Sequence, residues 1–185
     1  MIKKILLLSL FALLPSQADA ALLLAIEVNG VQACASDNNI GCSFGSIILD
    51  TNPATGVMSF GNNPVTVGVL EITASVQQAT VGGSQNILNS SSAQITNTSG
   101  GLATGFFAVS STSYTPPVSE AFVSGSATWE NAVGSAIEMR WYNDPSNAQG
   151  AEFATDTPGL LLNTCADLVT IIADSTACSA GPIAV

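Results

Sequence analysis

The chain has 185 residues, of which 47% are apolar and 9% charged; it has no histidine, and 3 cations face 13 carboxylates for a formal charge of −10. That apolar content argues against a disordered chain, and the length falls in the range of a single domain. So few cations cannot neutralise a row of phosphates, which excludes nucleic acid and anionic lipid and leaves a divalent cation as the charged partner to consider.

In chain order, Lys3 and Lys4, the apolar run Ile5 to Leu14 and the small-residue site Ala18-Asp19-Ala20 read as a secretory signal peptide over residues 1–20. Residues 21–185 then form one domain that is secreted, extracellular or displayed on a cell surface, with no transmembrane segment in the mature part. Removing residues 1–20 takes away Lys3, Lys4 and Asp19, so Arg140 alone faces 12 carboxylates and the formal charge becomes −11. A surface of that sign favours solubility.

Leu22, Leu24, Ile26 and Val28 alternate on one face of a first strand, with Glu27 on the other. Short strands Ser46–Leu49 and Val57–Phe60 are joined by the Asx, Pro and Gly residues of Asp50 to Gly56. After the Asn62-Asn63-Pro64 turn, Val65–Val76 is long enough to cross a sheet as one strand. Gly82 to Asn86 and Asn89 to Ser92 read as turns, and Leu102–Ser110 and Ala121–Glu130 as strands on either side of the Thr115-Pro116-Pro117 break. Ile137, Met139 and Trp141 alternate with Glu138, Arg140 and Tyr142 in the clearest amphipathic strand. Asn143 to Thr157 is loop-like, and Leu160–Leu162 and Leu168–Ala173 read as closing strands, the β-branched residues of the second outweighing a helical alternative. The fold class is all-β, a two-sheet β-sandwich of jelly-roll or Ig-like type with about 8 to 10 strands.

Cys34, Cys42, Cys165 and Cys178 are an even set in an oxidising compartment, and three connectivities are open to four cysteines. Pairing Cys34 with Cys42 and Cys165 with Cys178 closes two short loops, each contributing about 2 to 3 kcal/mol through the unfolded chain. Zinc would call for CxxC-type knuckles, which these spacings lack.

The run Asp50-Thr51-Asn52-Pro53-Ala54-Thr55-Gly56-Val57-Met58-Ser59-Phe60, with the strand Ile26-Glu27-Val28-Asn29-Gly30 before it and Leu168-Val169-Thr170-Ile171-Ile172 late in the chain, resembles exported bacterial proteins of the PEP-CTERM surface-sorting group. The resemblance implies a β-sandwich on or shed from a bacterial surface, with no established enzymatic activity. The chain ends Gly181-Pro182-Ile183-Ala184-Val185 without that group's Val-Pro-Glu-Pro motif, transmembrane helix or arginine cluster. The expectation is free secretion or extracellular assembly.

Triad chemistry needs a base beside the nucleophile, and past residue 20 there is neither histidine nor lysine. Glu130, Glu138, Asp144 and Glu152 near Trp129 and Trp141 are the carboxylates a glycoside hydrolase would need, and also ordinary solvated strand and loop residues. The expectation is a protein that is not an enzyme. No organic cofactor is implied. Calcium is the candidate ion, with Asp37, Asn39, Asp50 and Asn52 as candidate ligands, Asn38 beside them, and a weaker set at Asn143, Asp144 and Asn147. The same Asx residues are the usual turn formers. Trp129, Trp141 and Tyr142 are candidate ligand-binding aromatics, although Trp141 shares the parity of Ile137 and Met139 and so fits a core.

Two functions follow: a non-catalytic structural or assembly protein of a matrix, fibre or surface layer, or a carbohydrate-binding module that depends on calcium. Partners are then further copies of the chain, other cell-surface proteins or a polysaccharide. In the first reading Leu22, Leu24, Ile26 and Val28 line a donor strand, provided that strand does not pair within its own domain.

Overall fold

A computed structural model describes residues 22–39, 42, 44–52, 54, 56–60, 64–80, 87–112, 119–144 and 159–184. They contain twelve β-strands, one helical turn at Asp37–Asn39 and no α-helix. The expected signal peptide over residues 1–20, the turns expected at 62–63 and 82–86, the break expected at 115–117, and the candidates Asn147 and Glu152 lie outside the described residues.

Strands β1 (Leu22–Val28) and β2 (Val31–Ser36) form a hairpin in which Val28 faces Val31 and Leu23 faces Ser36. The turn between them is Asn29-Gly30, both with positive φ (48° and 82°). This is the two-residue turn whose twist matches paired strands, and Asn-Gly is the dipeptide that favours it, a signal the strand reading of Ile26 to Gly30 passed over. On the other side β1 pairs antiparallel with β8 (Gly105–Ser111), and β3 (Ser46–Ile47) adds to β2 in parallel. The first sheet is thus β3-β2-β1-β8.

The second sheet is built on β6 (Leu70–Thr80), flanked by β7 (Ile87–Asn97) on one side and by β4 (Val57–Ser59) and β5 (Val65–Val67) on the other. The two sheets pack face to face around Leu22, Leu24, Ile26 and Val28 of β1, Ala33 and Ala35 of β2, and Met58, Val67, Leu70 and Ile72 of the second sheet.

The remaining strands make a second face-to-face pair. β9 (Glu120–Glu130) pairs antiparallel with β12 (Ala173–Ala184), and β10 (Ala136–Asn143) with β11 (Leu160–Leu168). β9 and β10 face rather than pair with each other: a Cβ built on Gly125 of β9 would lie 2.9 Å from both Met139 Sδ and a ring carbon of Trp141 on β10. β11 and β12 are likewise joined across the layers by Cys165–Cys178. The connections 131–135 and 169–172 stack by backbone bonds: Asn131 N–H to Ile172 O, Gly134 N–H to Val169 O and Val169 N–H to Ser135 O, at 2.8 to 2.9 Å.

The all-β, sandwich-like expectation holds, with twelve strands in four sheets among the described residues in place of 8 to 10 strands in two. Three local expectations are corrected. Val65–Val76 is not one strand, because Gly68, at φ 56°, turns the chain with Val69 so that Val67 faces Leu70. Asn89 to Ser92 is not a turn but part of β7, where backbone pairing with β6 needs no apolar side chain. Leu168–Ala173 is not a closing strand: pairing with β10 ends at Leu168, buried Val169 anchors the bend through its backbone bonds to 134–135, and β12 begins at Ala173.

Ile26 is 1% exposed and Leu102 93%. Ile26→Ala lowers stability by about 2 to 5 kcal/mol, whereas Leu102→Ala changes it by no more than about 0.5 kcal/mol; urea unfolding of the two variants checks the contrast. In the second sheet pair only Val169 among the described residues is fully buried. Replacing Cys165 and Cys178 by serine costs about 3 kcal/mol there and speeds amide exchange in β9 to β12 while leaving β1 and β2 protected, which peptide-resolved exchange reads directly.

Candidate functional site

The four Asx residues named as metal ligands do meet in space. Asn39 Oδ1 accepts from Asp50 N–H at 2.7 Å while its Nδ2 donates to Asp50 O at 3.3 Å. Asp50 Oδ1 accepts from the N–H groups of Asn52 and Ser59 at 2.9 and 3.0 Å, and Asn52 Oδ1 from Ala54 N–H at 2.9 Å. Asp37, only 8% exposed, accepts Gly56 N–H on Oδ2 at 2.7 Å across a separation of 19 residues. Asp50 and Asn52 thus act as Asx-turn acceptors, while Asn39 and Asp37 tie the segment after β2 to Asp50 and Gly56. Asp37 Oδ1 and the adjacent Ser36 Oγ are buried without a hydrogen-bond partner. Among the described residues no three Asp, Glu, Cys or His side chains gather closely enough to hold a metal ion.

The disulfides are Cys34–Cys42, with Cα atoms 5.9 Å apart, and Cys165–Cys178, at 6.3 Å, both within the usual span. The first covers the outer face of β1 and β2, where Leu23, Ala25, Cys34 and Ser36 are all buried.

Trp129 and Trp141 point into the space between β9–β12 and β10–β11, in line with the half-buried parity of Val123, Gly125 and Ala127 on β9 and Ile137 and Met139 on β10. Trp129 Nε1 is buried there without a partner. Tyr142 follows a register shift after Trp141 and interacts with Arg140 on the outer face. The three aromatics therefore do not share one open surface. Of the carboxylates weighed for hydrolysis, Glu130 is exposed at the end of β9, Asp144 is half-buried just past β10, and Glu138 is paired with Arg140.

That pair is a fork: Arg140 Nε donates to Glu138 Oε1 and Nη2 to Oε2, both at 2.8 Å. The hydrogen bonds from Arg140 hold the Glu138 carboxyl below its ordinary range, partly opposed by desolvation and helped by the charge of Arg140. The folded-state value is lowered, so the stabilisation is present above the unfolded value and is lost as pH falls through the folded one. Both side chains are nearly half exposed, so solvent screens the contribution.

The candidate donor strand pairs within its own chain. β1 is hydrogen-bonded on both sides, to β2 and β8, and Leu22, Leu24, Ile26 and Val28 are at most 3% exposed. The condition attached to donation, a strand unpaired in its own domain, is not met, because burying these side chains in the chain's own core satisfies them locally. Strands with one neighbour among the described residues occur in both pairs, β3, β4, β5, β7 and β8 in the first and β9, β10, β11 and β12 in the second, but only in the second is every strand of this kind. Nothing in local sequence pattern marked these edges, since pairing between distant strands leaves no local trace; the small inward Gly125 opposite Trp141 was the readable hint of two layers.

No helix among the described residues is long and apolar enough to cross a membrane. Comparison with family models, curated proteins and solved structures yields no match.

Asp37→Ala removes the acceptor of a buried N–H and costs about 1 to 3 kcal/mol, with Asp37→Asn costing less because an amide oxygen still accepts; denaturant midpoints of the pair check the order.

Proposed function

We propose that this chain is a non-catalytic exported protein with a structural role, assembling outside the cell or at its surface through the edges of β9 to β12. The observation that carries this reading is the incomplete second sheet pair. Each of its sheets has two strands, so each strand leaves one row of N–H and C=O groups outside the ladder among the described residues. Its inward side chains on β9 and β10 are half-buried rather than buried. Adding strands to such a pair satisfies backbone groups and covers the inner face together.

The signal over residues 1–20, the two disulfides and the resemblance to PEP-CTERM surface proteins support export to an oxidising compartment. The absence of histidine, and of lysine past residue 20, supports a role without turnover. The inward turn of Trp129 and Trp141 favours this reading over a carbohydrate-binding module, which needs aromatic faces open to a sugar ring.

Light scattering of the exported chain across a concentration series, with and without calcium, tests the proposal. The expected result is a mass that rises above the monomer with concentration and responds little to calcium, whose candidate ligands are occupied by backbone donors. A monomer at every concentration overturns the assembly role.

A further inference from the structure

We propose that β10 pairs antiparallel with β10 of a second copy of this chain, about a two-fold axis at Met139. The inference rests on the assembly reading and gives it a partner and a register.

β10 is hydrogen-bonded to β11 on one side and has no strand on the other among the described residues. Its outer row carries Glu138 and Arg140, two positions apart and with side chains 43% and 47% exposed. With Met139 opposite its own copy, Glu138 faces the second copy's Arg140 and Arg140 faces the second copy's Glu138. One strand thus carries both halves of a self-complementary charge pattern, as a two-fold interface requires. Within a single chain the two side chains meet in the fork seen here, with Tyr142 a further neighbour of Arg140.

The inner row fits the same register. Ile137 faces the second copy's Trp141 and Met139 faces its counterpart, so three half-buried apolar side chains gain cover from apolar neighbours. Arg140 is the only cation past residue 20, so no other strand edge can present this pattern. β9 shows the contrast, because pairing with its own copy about Gly125 sets Glu120 opposite Glu130 at both ends. Like charges directly opposite are destabilising, so β10 rather than β9 carries the contact.

The test uses charge reversal and mixing. Self-association of the exported chain is measured by sedimentation for the unaltered protein, for Arg140→Glu, for Glu138→Arg and for the two variants mixed in equal amounts. Both positions are exposed, so each variant keeps the fold, which circular dichroism verifies. Each variant alone loses about tenfold or more in association, from two like-charge pairs per interface. The mixture recovers it, because every cross-strand pair then joins opposite charges. Association of the unaltered chain that persists undiminished in Arg140→Glu overturns the β10 contact and leaves assembly through another edge standing. An unaltered chain that stays monomeric overturns both.

Discussion

Two-sided burial of the β1–β2 hairpin is the constraint from which the rest of the fold is organised. Leu22, Leu24, Ile26, Val28, Ala33 and Ala35 fill the space between the first two sheets, while Leu23, Ala25, Cys34 and Ser36 are buried on the opposite face. A buried aliphatic side chain contributes about 1.5 to 3 kcal/mol, and this hairpin concentrates such side chains. β8 is held by pairing with β1, the Cys34–Cys42 bridge lies over the outer face, and Asp37 at the end of β2 grips Gly56 and so delivers β4 to the second sheet.

The second sheet pair obeys a different balance. Its inner face on β9 sets the small residues Ala121, Gly125 and Ala127 beside Val123 and Trp129, and the two strands per sheet among the described residues leave even the large side chains open at the flanks. Cohesion comes from Val169 with its backbone bonds, from the stacked connections at 131–135 and 169–172, and from Cys165–Cys178 spanning the layers. The exposed Glu138–Arg140 ion pair adds little. The first pair fills its own core, whereas among the described residues every strand of the second has an open backbone row and its inward apolar side chains on β9 and β10 are only half-buried.

Much of this was legible residue by residue. The alternation in Leu22–Val28 and Ile137–Trp141 gave the right strands because a buried face imposes period two. It also placed Trp141 in line with Met139, facing inward. The failures have physical causes. Gly68 ended a strand inside an apolar run, where β-branched neighbours masked the turn. Asn89 to Ser92 carried a strand on backbone pairing alone, against its side-chain preferences. Ile171 and Ile172 have strand propensity yet sit in a bend, because Val169 is anchored by contacts from 134 and 135 that no local pattern encodes. The Asx oxygens weighed as calcium ligands include ones that accept backbone N–H groups in this structure.

The central claim is that the two sheet pairs differ in completeness: one fills its own core, and the other, in the proposed assembly, is completed by association. Peptide-resolved hydrogen exchange of residues 21–185 at low and high protein concentration measures this most directly. The account expects β1 and β2 to exchange slowly at both concentrations, and β9 to β12 to exchange quickly when dilute and slowly when concentrated. Equal protection of β9 to β12 at both concentrations would contradict it.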